Sequence, residues 1–290
     1  MTARAPNPYR QVAVVMDFDE TIAPDATSLL LRERGGLDPL VLWKQEAPKL
    51  YARGYDMAHA WIRLLLDQVG DGRPLGLLTN SDLRAFGLRM EREIYPGLLD
   101  LPRDVKQIAH DFGWTADFYI VSGGLEELIR GIPFVKNNFT EVYGTLIDED
   151  GDPPRLSWVK RAITFTEKTR YLYEIHKGIT PEECLKDPHA VNRFMDQEDR
   201  EVPWECMVYV GDGFTDIPCF AMLEGAGLRF GVVRTDDEAR SKAAFDLLQT
   251  NRVDNAGPAD YTKAGGLGWC IREAVSAICG RGQPSRRKPK

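Results

Sequence analysis

Val12-Ala13-Val14-Val15-Met16-Asp17-Phe18-Asp19-Glu20-Thr21 sets an unbroken apolar run against an acidic stop. A run so continuous does not suit a strand with one wet face. It reads as a strand buried on both sides, the signature of a parallel sheet. Three more runs repeat the pattern. Phe118-Tyr119-Ile120-Val121 is stopped by Ser122-Gly123-Gly124, and Met207-Val208-Tyr209-Val210 by Gly211-Asp212-Gly213. The last, Leu228 to Val233, follows a helix beginning near Asp216. With helical patterns between them, these runs predict an α/β fold with a Rossmann-like, doubly wound parallel sheet.

Residues 25–94 behave differently. Leu29-Leu30-Leu31, Leu40 to Trp43 and Ala58 to Val69 carry helical periodicity, with Trp61, Leu64, Leu65 and Val69 on one face. Gly35-Gly36, Gly54 and Gly70-Asp71-Gly72 separate them. The expectation is an all-helical cap inserted into a catalytic core of residues 1–24 and 95–280, with Tyr95-Pro96-Gly97 as the seam. A helix over Val105 to Phe112 leads into the second strand. Between residues 140 and 165 two extended segments joined by Asp148-Glu149-Asp150-Gly151-Asp152 predict a small β-hairpin. That acidic turn lacks the spacing and terminal Glu of a calcium loop, and reads as solvated.

Thirty-seven Lys and Arg against 44 Asp and Glu give a net charge of −7, which calls for neither nucleic acid nor an anionic membrane as partner. Five cysteines, odd in number and without a C-x-x-C pair, argue against a disulfide framework and a zinc site. Residues 1–10 hold no apolar stretch that would serve as a signal peptide, and no segment has the length of a membrane span. The expectation is a cytoplasmic protein whose residues 281–290 form a disordered basic tail.

Chemistry is expected where the strands end, because open parallel sheets place ligands at their carboxyl edges. Asp17 and Asp19 lie on one side of the chain while Phe18 points inward. Two carboxylates so close repel unless a cation lies between them or one takes a proton. Either suits phosphoryl transfer, in which one attacks phosphorus and the other gives and later takes a proton. An acidic turn is the plain alternative for the motif in isolation. In Gly211-Asp212-Gly213-Phe214-Thr215-Asp216 the glycines allow a tight turn, and Asp17 with Asp212 supplies oxygens for a hard divalent cation. Asp216 reads equally as a helix N-cap, and the roles can coexist.

Ser122, with the N–H groups of Gly123 and Gly124, predicts an anion site at a helix N-terminus, or simply an N-cap. Thr79-Asn80-Ser81 is a rival that lacks the glycines. On a helix over residues 166–175, Lys168 shares a face with Leu172 and Ile175, and a lysine so placed needs an anionic partner. Lys160 and Lys177 lack that placement.

These pieces, in this order, resemble the haloacid dehalogenase superfamily over residues 11–275. The matching motifs are Val14 to Thr21, Ile120 to Gly124, Lys168, and Val210 to Asp216. The resemblance implies a phosphatase with Asp17 as nucleophile and Asp19 as general acid/base. It also implies Mg2+ held by Asp17, the backbone carbonyl of Asp19, and Asp212, with Asp216 in support. Ser122, Gly123 and Lys168 would grip the phosphoryl oxygens. The carboxylate at Asp19 speaks against dehalogenation, since the family's dehalogenases lack it. The helical cap and Ser122 resemble the phosphoserine-phosphatase-like branch. However, Ile22-Ala23-Pro24-Asp25-Ala26-Thr27-Ser28 lacks the Glu with which members of that branch hold the substrate's amino group. The implied partner is a small phosphorylated metabolite. A phosphotransferase or mutase that also works through an aspartyl-phosphate, as the implied phosphatase would, or an idle binding protein on this fold, are the alternatives.

Overall fold

The computed structural model describes residues 10–233, 242 and 246–281. The expected tail, beyond Arg281, and the N-terminal segment before Arg10 lie outside the described residues. A seven-stranded sheet forms the centre, in the order β4-β3-β2-β1-β5-β6-β7. The strands are β1 (Gln11–Met16), β2 (Thr115–Leu125), β3 (Glu141–Asp150), β4 (Arg155–Arg161), β5 (Met207–Gly211), β6 (Leu228–Val233) and β7 (Asn255–Pro258). All neighbours pair in parallel except β3 and β4. From β1 the chain winds outward through β2 and β3, then returns to β5 on the other flank. This places the switch point between β1 and β5, where a doubly wound sheet opens its crevice. Val12, Ala13, Val14, Val15 and Met16 are wholly buried, as a strand covered on both faces must be.

Two features go beyond the sequence expectation. The expected hairpin forms as antiparallel β3 and β4, and β3 also joins the main sheet by pairing in parallel with β2. Strand β7, Asn-Ala-Gly-Pro, has no apolar run to announce it, and it pairs with β6 as an exposed edge.

Residues 26–66 and 80–93 are largely helical, with turns over residues 67–79 between them. The helix Ala26–Gly35 is capped by Asp25, whose carboxylate accepts from the Ser28 N–H at 3.0 Å, and ends at Gly36 in the left-handed conformation. Helix Met57–Leu66 buries two faces rather than one. Ile62 and Leu65 join the main core, whereas Ala60 and Leu64 pack with Ala47 and Leu50 in a small separate cluster. Trp61 is half-buried against the main core.

The helical piece is fastened to the sheet. The Leu156 N–H donates to the Leu78 carbonyl at 2.8 Å, and Asn80 Nδ2 to the Ile147 carbonyl at 3.1 Å. Helix Asn80–Met90 lies directly on the turn after helix Glu126–Arg130. A Cβ on Gly87 would sit 2.3 Å from the Leu128 carbonyl oxygen, and one on Gly131 2.3 Å from that of Arg84. Alanine at 87 gains about 1 kcal/mol of helix propensity, but neither backbone can give way. G87A is therefore expected to lose about 2 kcal/mol net. Urea unfolding checks this, and an unchanged or raised midpoint would mean that the two helices slide freely.

At the seam, the Tyr95 N–H donates to the Ile22 carbonyl at 2.9 Å, and the Tyr261 hydroxyl to the Thr21 carbonyl at 2.7 Å. Gly97 has φ +80°, and a Cβ there would lie 2.1 Å from the Thr262 backbone nitrogen, so any side chain would collide. Three distant stretches of chain are thereby tied together beneath Asp19. No helix among the described residues is long and apolar enough to cross a membrane.

Candidate active site

The carboxyl ends of β1, β2 and β5 converge. Asp17 follows β1 directly, and its N–H donates to the Val210 carbonyl at 2.9 Å, continuing the ladder to β5. Asp17 Oδ1 accepts from the Phe18 N–H at 2.7 Å, while Oδ2 lies 2.9 Å from Lys168 Nζ. Phe18 itself is fully buried.

Lys168 projects from helix Glu167–Lys177, whose inward face also buries Leu172 and Ile175. Its ammonium meets Asp216 Oδ1 at 2.7 Å as well, and the side chain is only 1% exposed. Burial by itself would favour losing the proton. The charges of Asp17 and Asp216 outweigh burial, so the lysine's pKa is raised and it stays an ammonium.

Asp216 is fully buried and does not serve as a side-chain cap for helix Ile217–Met222. Its carboxylate turns back instead. Oδ1 accepts from Lys168 and from the Tyr209 hydroxyl at 2.7 Å, and Oδ2 from the Gly213 N–H at 3.2 Å. Gly211 leaves room for this, since a Cβ there would lie 2.4 Å from the Asp216 carboxyl carbon. Oxygens of Asp17, Asp212 and Asp216 lie within 4.8 Å of one another. Burial pushes Asp17 up to about 6, against the pull of Lys168. Burial, then the charges of Asp216 and Asp17, raise Asp212 well above the ordinary carboxylate range. Carboxylates crowded together in this way fit a hard divalent cation, which offsets their mutual repulsion.

Asp19 has one oxygen on the Ala26 N–H at 2.9 Å. Burial first, and then the charge of Asp25, raise its pKa well above the usual range. Asp25 is itself committed to Ser28, whose hydroxyl donates to it at 2.5 Å and accepts from the Trp43 indole N–H at 2.8 Å. Glu20, between Asp19 and Thr21, has φ 60°, a left-handed conformation in which a non-glycine residue is strained. The Tyr95 hydroxyl, 3.0 Å from Glu20 Oε2, helps to hold it.

Ser122 is buried, but it does not end its strand. β2 runs on to Leu125, and Val121↔Tyr143 and Leu125↔Thr145 bracket four residue steps on β2 against two on β3. Ser122-Gly123-Gly124 is thus a bulge rather than the N-terminus of a helix, and helix Glu126–Arg130 has no side-chain cap. The Gly124 N–H donates to Ser122 Oγ at 3.0 Å, and Thr145 Oγ1 to the Gly123 carbonyl at 2.8 Å. The rival Thr79 caps helix Asn80–Met90 in a reciprocal pair with Asp82. Glu20, quoted in the first motif, Tyr95, quoted at the seam, and Tyr209, in the third strand, were given no site role from sequence. The one signal for Tyr209 is a hydroxyl inside an otherwise apolar strand, which must find a partner when buried.

An acidic cluster with one buried lysine, at the switch point of an open parallel sheet, defines a hydrolase-type α/β site. The haloacid dehalogenase-like hydrolase family profile matches residues 14–221, and the chain belongs to that family. An uncharacterized protein of Borreliella burgdorferi is 24% identical over 286 residues, spanning 91% of this chain and 96% of its own. Among solved structures, a hydrolase of the same family from Salmonella enterica serovar Typhi superposes with TM-score 0.50 at 17% identity, covering 78% of this chain and 64% of that one. A substrate-bound phosphoserine phosphatase gives TM-score 0.50 at 14% identity, over 91% and 98%. Likenesses this remote speak for the fold.

Proposed function

We propose that the protein is a magnesium-dependent phosphatase that hydrolyses a small phosphate monoester through an aspartyl-phosphate. The observation that carries this is the pairing of Lys168 with both Asp17 and Asp216 in a buried acidic cluster. In the proposed reaction an Asp17 oxygen attacks phosphorus as the bond to the leaving oxygen breaks. Asp19, whose carboxyl burial holds well above the usual carboxylate range and so favours in its protonated form, gives its proton to that oxygen. Water then attacks the phosphorus of the acyl phosphate and yields a proton to Asp19. The bond to Asp17 breaks, and inorganic phosphate leaves. Lys168, the Ser122 hydroxyl and the Gly123 N–H neutralise and orient the phosphoryl oxygens.

Asp17, Asp212 and the backbone carbonyl of Asp19 would hold magnesium, with Asp216 steadying the site through Gly213. When bound, the ion offsets negative charge on the transferring group. The helical insertion acts as a cap that limits substrates to small esters, and with no Glu within residues 22–28 the identity of the ester stays open.

The test is hydrolysis of an aryl phosphate with magnesium and with chelator. Turnover is expected only with magnesium. Absence of turnover on a panel of small phosphate esters, from folded and magnesium-loaded protein, would overturn the reading in favour of a phosphotransferase or a binding role. A second readout needs no substrate. Since Asp17 titrates near 6 in the folded chain against 3.8 unfolded, the native state holds more protons between those values. Metal-free stability therefore falls as pH rises through that window. Magnesium takes the protons' place, so it is expected to raise Tm more at about pH 8 than at about pH 5. Equal shifts at both would count against a cation among these carboxylates.

A further inference from the structure

We propose that Gly124 is a positioning residue that sets the reach of Asp19, and that it must be glycine for want of space rather than for its backbone conformation. Its φ is not positive, so an alanine could adopt the same backbone. The space is what is missing. A Cβ on Gly124 would lie 2.6 Å from Asp19 Oδ2 and 3.3 Å from Ser122 Oγ. On the neighbouring Gly123 it would meet only the Ile163 carbonyl, at an ordinary 3.6 Å.

The Asp19 carboxylate is thus held from two sides. The Ala26 N–H fixes Oδ1 at 2.9 Å, and the bare face of Gly124 receives Oδ2. The Gly124 N–H meanwhile donates to Ser122 Oγ at 3.0 Å, leaving that hydroxyl's own hydrogen to be given elsewhere. One residue of the bulge therefore fixes the distance between the group proposed to carry the leaving-group proton and the group proposed to grip the phosphate. An added methyl must push the carboxylate off, because the bulge is anchored behind by Thr145 on the Gly123 carbonyl.

Two experiments test this, and only the second rests on the phosphatase reading. In a crystal structure of Gly124→Ala, the Asp19 carboxylate is expected to leave the Ala26 N–H. An unmoved Asp19 would overturn the proposal whatever the activity. If the variant fails to fold, adding Asp19→Ala should restore folding, because it removes the colliding group, and failure to restore it would equally overturn the idea.

The kinetic arm uses leaving-group dependence. An alkyl phosphate needs a proton on its leaving oxygen, and a nitrophenyl phosphate hardly does. Gly124→Ala is expected to lower kcat about 10²-fold on the alkyl ester and less than about 10-fold on the aryl ester. In an Asp19→Ala background it should cost less than about 3-fold more on the aryl ester. Equal losses on both esters, or full additivity with Asp19→Ala, would mean that Gly124 acts otherwise than through Asp19. A wild-type enzyme inactive on both esters would count against the phosphatase reading instead, and the position of Asp19 in the crystal would still decide the role of Gly124.

Discussion

Asp17→Asn is expected to lose about 10⁴- to 10⁶-fold of kcat while melting at or above the wild-type temperature without metal. The two halves of that result come from the same atoms. As the proposed nucleophile, Asp17 must offer an anionic oxygen to phosphorus, and an amide is a poor substitute for it. Asparagine keeps the shape, but its single carbonyl oxygen can take only one of the two donors that Asp17 now satisfies, the Phe18 N–H at 2.7 Å or the Lys168 ammonium at 2.9 Å. Lys168 keeps Asp216 at 2.7 Å, so its ammonium stays paired. The fold loses a charge that burial resists, since Asp17 is only 5% exposed and its pKa is pushed up to about 6. Removing such a charge relieves the metal-free protein above that pH. Magnesium should then stabilise the variant less than the wild type, because one of the proposed ligands is gone. Turnover within about tenfold of wild type would remove Asp17 from the nucleophile's role. A lowered Tm with lost turnover would mean that the loss is structural.

How far sequence reading reached follows from which forces are local. The sheet was legible because a strand buried on both faces must be largely apolar, as β1 and β5 are, whereas β6 is interrupted by the buried Arg229, which pairs with Asp254 at 2.9 Å. β7 was not, because an edge strand of four residues with Gly and Pro needs only a neighbour's backbone. The hairpin was seen but not its partner, since nothing in Glu141–Asp150 says that one side pairs with β2. Ser122-Gly123-Gly124 looked like a strand end because glycines usually punctuate, whereas here they let a continuing strand bulge. In the candidate site, the aspartates stand out because each interrupts an apolar run. The direction of each carboxylate does not. Asp216 sits where an N-cap would, yet faces backward, because Tyr209 and Lys168, far apart in sequence, present donors there. Helical periodicity put Lys168 on the buried face, but periodicity cannot name the anion it meets.

Lys168→Met brings fold and chemistry to the same test. The methionine chain fills much of the lysine's volume, so packing among Leu172 and Ile175 is largely kept and the change is chiefly one of charge. Without the ammonium, Asp17 and Asp216 are left facing each other, and Asp216 has no exposure to water. Breaking a buried ion pair from one side costs about 3–5 kcal/mol, and the upper end applies where two carboxylates lose the same partner. The chain has one escape, which is to protonate Asp17. That raises its folded pKa further above the unfolded 3.8, so the native state binds the extra proton and the loss is smallest at low pH, growing as pH rises. The variant is therefore expected to approach wild-type stability near pH 4 and to fall furthest behind it above about pH 7. Lys168→Arg should not restore it, because a site 1% exposed has no room for the larger planar head. On the proposed reaction, kcat should fall about 10²- to 10³-fold as well. Urea unfolding across pH separates the outcomes. A deficit that does not change with pH would point to lost packing, and a deficit below about 0.5 kcal/mol at neutral pH would mean that the carboxylates do not depend on this lysine. If the deficit grows with pH as expected, the charge proposed to steady the transferring phosphoryl group also holds the ends of β1 and β5 together in its absence.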